Sequence, residues 1–482
     1  MRARRGARTY ARAGIRGAIA AAVLLLACGC GGGTGGGGAD GSATLLPTST
    51  LTPPADPAGG RYNPPTRFAA HGVRLPTGDG NGNAGGTGVP GTTGAPGHSG
   101  TSTAVGTAAS PLPIALHGAD AYIAGTASLE VVDTGTGKTL DTIRPQGRPL
   151  ADANSATGAT AAGPVSAPLV AVIGDSTLSL ALVPFLVTAA AQGSTPAGTG
   201  VELDAVDTST RQTVWTATVG GLPAWASDGT TADLGATVVG VTGNVAVVRV
   251  SGTGVIGTTL GIDLMKHQIL WHQDGFAAEA VTGGMAVGRI AAHTGDPIGK
   301  ESAVAALDAT DGTRVWKELD ADTVGIGPAA PGKVVVTGTD YGDGSAFAYL
   351  VDTADGKKAA LPRAGTDPSA CTYDGASMLL CTGHDSTGLG GSGDRLFGLD
   401  AASGKLVWQL PTAPGRAVPT VTAAWHGAVY GSTAAGPVVL NARTGADRGS
   451  TPGIAPSLLD GDVGLTAPTT SGAPVTAYPA IG

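Results

Sequence analysis

Short apolar runs broken by Gly, Asp, Asn and Thr recur from about Pro111 to the carboxyl end, among them Ala121-Tyr122-Ile123-Ala124, Val245–Val250, Val334-Val335-Val336 and Ala428-Val429-Tyr430. Runs this short, with turn residues at both ends, predict strands and not helices. A nine-residue unit gives the pattern its period. Its copies begin at Asp133 (DTGTGKTLD), Asp207 (DTSTRQTVW), Asp263 (DLMKHQILW), Asp308 (DATDGTRVW), Asp352 (DTADGKKAA), Asp400 (DAASGKLVW) and Asn441 (NARTGADRG), and their internal spacing never varies. Successive copies start 74, 56, 45, 44, 48 and 41 residues apart. Further strand pairs lie between the units, so each repeat carries four strands, the content of one β-propeller blade. The two long intervals hold their excess in Gly147–Ala167 and Ala189–Gly200, expected as loops on one rim.

Each recurring slot has a physical reason. The Asp carboxylate can accept hydrogen bonds from the N–H groups of the turn that follows it, and Gly at the fifth position (Gly137, Gly312, Gly356, Gly404 and Gly445) can take the positive φ that closes the turn. A Trp at the ninth position (Trp215, Trp271, Trp316 and Trp408) puts a flat apolar face and one N–H donor on the outer strand, suited to wedging against the next sheet. That slot holds four of the six Trp in the chain, which assigns them to packing. Arg211 and His267 replace Gly in the second and third copies, and the first, fifth and seventh copies lack Trp. Those blades are expected to dock less tightly.

After the seventh unit, Ala455–Leu459, Val463–Thr466 and Pro474–Tyr478 supply three more strands before the chain stops. A ring must close to remove its edges. The segment Thr66–Pro76, an alternating island inside a Gly-rich stretch, is the candidate for the missing outer strand. The expectation is an all-β propeller of eight four-stranded blades, with seven as the alternative if the tail completes the first blade.

The unit Asp400–Trp408 with Leu399 before it closely resembles the tryptophan-docking repeat of the PQQ-like propellers. That family includes quinoprotein alcohol dehydrogenases and the propeller lipoprotein of the outer-membrane assembly machine. The resemblance covers about residues 111–482 and implies a fold; one fold hosts many sites. The dehydrogenases are similar to one another in a vicinal Cys-Cys disulfide, a Ca²⁺ site of Glu, Asn and Asp, and a Trp beneath the quinone. This chain has no Cys-Cys dipeptide, and most of its Trp residues sit in docking slots. No cofactor and no metal is therefore expected.

The amino terminus changes the picture from fold to location. Arg2, Arg4, Arg5, Arg8, Arg12 and Arg16 precede an apolar stretch, Ala18–Leu26, that is too short to span a bilayer as a permanent helix. The stretch ends in Leu25-Leu26-Ala27-Cys28, which resembles a bacterial lipobox, with Cys28 as the lipidated residue of a signal peptide covering 1–27. An ordinary secretory signal with Cys28 near the cut is the alternative. Residues 28–110 are dominated by Gly, Thr, Ala, Pro and Ser and read as a flexible tether, which cannot bury enough apolar surface to offset its ordering entropy. From Cys28 to Tyr62 such a chain has a root-mean-square reach of roughly 30–35 Å. The expected location is thus the outer face of the cytoplasmic membrane, with contact to the bilayer through lipid alone.

Among the four Cys, Cys371 and Cys381 flank an Asp-Gly turn and are expected to face each other as a disulfide in an oxidising compartment. A reactive or metal-binding thiol pair is the alternative. Without the six leader arginines the formal charge of −8 becomes −14, and aromatic residues are 4%, which argues against a nucleic-acid binder. Gly174-Asp175-Ser176 looks like an esterase nucleophile block, yet no His follows His426 and no Asp lies three residues before it. Asp79–Asn83 opens like a calcium loop but reaches Pro90 where Glu is needed. Asp340–Gly344 and the Gly-rich Gly388–Gly393 read as loops, and the eight His form no H-x-x-x-H pair. The functional expectation is a non-catalytic binding or scaffolding propeller that meets an envelope protein or a cell-wall component. An exported enzyme, either a degenerate quinoprotein dehydrogenase or a hydrolase, and a ligand-sensing propeller are the alternatives.

Overall fold

The computed structural model describes residues 61–76, 112–151, 165–173, 178–189, 198–226, 234–291, 302–340, 345–362, 368–384, 394–413, 415–449, 451–467 and 474–482. They belong to one compact unit, Pro53–Gly482, built as an eight-bladed propeller of antiparallel sheets. In blades 1 (Ile114–Ile143), 3 (Gly235–Asp274), 4 (Phe276–Ala321), 5 (Thr323–Ala360), 6 (Pro368–Leu410) and 7 (Thr420–Gly449), four strands pair in chain order. The first strands of successive blades touch one another around the axis. The fourth strands form the perimeter, and Gln268–Asp274 exposes every residue but Trp271. Connections from first to second and from third to fourth strand leave at one end of the ring, the turn end. The others leave at the opposite loop end.

Blade 8 settles the count. Leu458–Leu459, Val463–Thr466 and Thr476–Pro479 pair in order, and the fourth strand is Val73–Arg74, with Val73 opposite Ala477 and Arg74 opposite Thr476. A strap, Arg61–Phe68, runs up to that strand along the turn end of blades 7 and 8. Tyr62 N–H donates to Gly461 O, Arg61 N–H to Asp462 Oδ1, and Thr66 and Arg67 N–H to Gly482 O. The buried Tyr430 hydroxyl donates to Pro65 O at 2.6 Å.

All seven turns of the repeat share one geometry. The fifth residue has φ between 57° and 74°, including Arg211 and His267, and its N–H donates to the carbonyl of the opening Asp or Asn. The side chains of Asp133, Asp207, Asp263, Asp308, Asp352, Asp400 and Asn441 each accept at least one N–H of their own turn. Hydrogen bonds from the Ser209 and Ser403 hydroxyls, helped by the turn N–H groups, hold the carboxyls of Asp207 and Asp400 below the usual carboxylate range.

The ninth residue reaches the next blade. Trp271, Trp316 and Trp408 donate through Nε1 to the carbonyls of Ala309, Thr353 and Ala442, each the second residue of the following unit. Each indole also lies against the fifth residue of that unit, Gly312, Gly356 or Gly445, where a Cβ would come within 2.6–3.0 Å of the ring. Glycine is required there by contact as well as by φ. Four of the junctions without the Trp–Gly pair have other fillers. Trp215 stacks on His267 at 4.6 Å. Blade 1 has no Trp, and Arg211 of blade 2 instead forms a bidentate ion pair with Asp120 of blade 1, at 2.7 and 3.2 Å. Leu361 fills the space beside Gly404, and Val73 with the Arg74 carbonyl fills that beside Gly137.

Candidate functional site

Blade 2 breaks the regularity of the ring. Its second and third strands, Ser179–Ala189 and Gly198–Asp207, are 11 and 10 residues long, and its first strand is in two pieces. Arg148–Pro149 pairs with Val187–Thr188, and Leu169–Val172 with Ser179–Leu182. Four residues of the second strand, 183–186, separate the two pairings, against nineteen, 150–168, on the first. The first insertion therefore falls within the first strand of blade 2, beside the axis, and residues 152–164 of it lie outside the described residues. The second lies between two lengthened strands. At the break is a cleft of about 40 Å³ lined by Leu150, Val165, Ser166, Phe185, Leu186 and Leu234. Its walls are apolar, and Ser166 Oγ is 2.5 Å from Thr237 Oγ1 on blade 3. Such a space accepts the tip of a side chain more readily than it polarises a bond.

Two carboxyls are buried in the same blade. In Val201-Glu202-Leu203-Asp204-Ala205 the leucine face packs toward blade 3 and the acidic face turns toward blade 1. Glu202 Oε2 accepts the Gly147 N–H at 2.8 Å, and Oε1 accepts the Gln146 N–H, which fixes the chain just before the break. Asp204 is buried, and its Oδ1 has no hydrogen-bond partner. Desolvation pushes its carboxyl up to about 7, opposed by a hydrogen bond from Thr216 and reinforced by the neighbouring charge of Glu202.

A raised carboxyl means the folded state holds a proton that the unfolded state releases near pH 4, so stability falls as pH rises from there to about 7. Asp204→Asn is expected to stabilise the protein by a few kcal/mol above pH 7, on the order of the shift itself, and to match the parent near pH 4. Thermal melts of both proteins across that range check it, and a difference that does not change with pH would contradict the assignment.

The remaining predicted residues fall in three groups. The Asp and Asn residues of the repeat hold its turns, and its Gly and Trp residues line the blade junctions. Cys371 and Cys381 are register partners on the first two strands of blade 6 and form a disulfide, with both residues buried. Cys28, Gly174-Asp175-Ser176, Asp79–Asn83, Tyr341–Gly344 and Gly388–Gly393 lie outside the described residues. Among the described residues no group of three His, Cys, Asp or Glu side chains is arranged to hold a metal ion.

No protein-family model and no curated protein sequence matches the chain. Solved structures do. BamB from Moraxella catarrhalis is 13% identical, with a TM-score of 0.35 over 76% of this chain and 95% of that one. The quinohemoprotein alcohol dehydrogenase from Comamonas testosteroni is 13% identical, with a TM-score of 0.39 over 76% of this chain and 73% of that one. The β-propeller domain of the Trilobed protease from Pyrococcus furiosus, which has an open velcro topology, is 10% identical, with a TM-score of 0.33 over 56% and 80%. Likeness at this level carries no argument about activity; the blade count stands on strand pairing.

Proposed function

We propose that the chain is a non-catalytic binding or scaffolding propeller of the PQQ-like kind, anchored by lipid on Cys28 to the outer face of the cytoplasmic membrane, whose partner is an envelope protein or a cell-wall component. One observation carries this reading: the recurring Asp, Gly and Trp residues are engaged in turns and junctions, while the break in the first strand of blade 2 opens an apolar cleft between blades. An apolar recess with a few hydroxyls suits recognition of a side chain on another macromolecule. The lipobox-like Leu25–Cys28 and the tether-like composition after it support display at a membrane surface. The test is in-cell crosslinking from a photoreactive residue placed at Leu150, with Val315 on the perimeter as control, alongside fatty-acid labelling of the parent and Cys28→Ala. A specific partner captured from the cleft alone, and label lost with Cys28, are expected. Equal capture from both positions refutes the cleft; label that survives Cys28→Ala refutes the anchor.

A further inference from the structure

Charge is unevenly matched at the junction of blades 3 and 4. Arg249 lies on the second strand of blade 3, near the loop end, as the register partner of Thr237 on the first strand. Its side chain crosses to blade 4, where Nη1 donates to the Ala278 carbonyl at 3.3 Å. Its Nε is buried and has no hydrogen-bond partner. Glu279 is the extra residue of a bulge in the first strand of blade 4, where the register shifts between Ala278 and Ala280. Its carboxylate accepts from Arg289 Nε, with the Glu279 side chain almost fully buried and that of Arg289 one-quarter exposed.

Among the described residues, one carboxylate, paired with Arg289, is thus the only acidic charge felt by the two neighbouring guanidiniums. Burial acts against the charge on Arg249 and lowers its affinity for the proton; Glu279 favours that charge, and Arg289 opposes it. Of the two guanidiniums, Arg249 Nε is a buried donor with no hydrogen-bond partner. A buried donor left unmade costs about 1–3 kcal/mol, more when it is charged. Arginine does not escape by losing its proton, because it stays charged under all ordinary conditions. A chain of formal charge −8 has kept a local excess of one positive charge beside its axis. An anion shared by the two guanidiniums would supply negative charge and an acceptor together, and guanidinium favours such an ion through planar, bidentate hydrogen bonds.

We propose that Arg249 and Arg289 form a binding site for an oxyanion, a carboxylate or phosphate group, at the loop end of the junction between blades 3 and 4, with Glu279 orienting Arg289. The site does not depend on the lipid anchor or on the blade 2 cleft. It is tested on the purified full chain by calorimetric titration with inorganic phosphate and, separately, with succinate, at ionic strength held constant with chloride. Saturable binding of at least one of them is expected, and the arm that binds tighter identifies the group. Arg249→Gln and Arg289→Gln are each expected to weaken it at least tenfold. Glu279→Gln removes a competing carboxylate and is expected to tighten it severalfold, which a merely structural cluster would not do. Arg249→Lys keeps the charge without the fork and is expected to fall between the parent and Arg249→Gln. Near-ultraviolet circular dichroism shows that each variant is folded. No saturable binding by the parent, undiminished binding by folded Arg249→Gln, or weaker binding by folded Glu279→Gln would overturn the proposal.

Discussion

Replacing Phe68 with alanine is expected to lower the unfolding free energy by about 3–5 kcal/mol, the usual cost of emptying a buried aromatic site. Phe68 is 4% exposed and bridges to Ala480 at the foot of blade 8. Its ring packs edge-on against Tyr430 of blade 7 at 6.2 Å and joins a cluster with Val439, Leu459 and Ala480. The side chain therefore pins the strap to both blades it crosses. The closing strand itself contributes only two residue pairs, so once this anchor is gone the ring is held shut by the strap's hydrogen bonds to blades 7 and 8 and by the buried Leu75. Urea denaturation measures the loss. Limited proteolysis within residues 61–76 is expected to quicken in parallel, and an unchanged rate would mean that the strap is held by other contacts.

A loss of similar size, about 3–5 kcal/mol, is expected for Trp408→Ala. Trp408 is 9% exposed, donates to Ala442 O at 2.7 Å and is covered by Gly398 on its own sheet and Gly445 on the next. Trp215→Ala is expected to cost less, because that indole is only partly buried and stacks on an exposed His267. Gly445→Ala separates the two demands on its position. Its Cβ would lie 2.6 Å from the indole, and its φ of 67° is strained for any other residue. In the parent both effects act. In the Trp408→Ala background only the backbone strain remains, about 1–2 kcal/mol. A double-mutant cycle of unfolding free energies reads the difference, and strict additivity would mean that the indole does not press on Gly445.

What could be read in the sequence was local or counted. The Asp-to-turn hydrogen bonds and the positive φ at the fifth position are made within five residues, so the nine-residue string specifies them by itself. The eighth blade followed from arithmetic, because three strands in the tail require a fourth from elsewhere. The site was harder to see because its contacts are long-range. Arg211 and Asp120 are 91 residues apart, and only the coincidence of a missing Trp in the first copy with a missing Gly in the second hinted at their pairing. Glu202 and Asp204 sit in an alternating run that reads as half-solvated, whereas a propeller blade buries both faces of its middle strands. The alternation was the available signal, and the buried setting is what a single strand cannot reveal. Arg249 reaches the Glu279–Arg289 pair from the neighbouring blade, at a bulge that takes Glu279 out of register.

The strap also sets the order in which the molecule can be finished. The contact between Arg61 and Asp462 spans 401 residues, and that between Tyr430 and Pro65 spans 365. Closing a loop of that length costs about 3 kcal/mol more entropy than closing a ten-residue hairpin. Each other blade is assembled from consecutive strands and can pair as it is made. Blade 8 cannot, since its perimeter strand is made before every other described strand and is the last to find its place. The slowest step of folding is therefore expected to be the return of residues 61–76 to a ring that is otherwise complete.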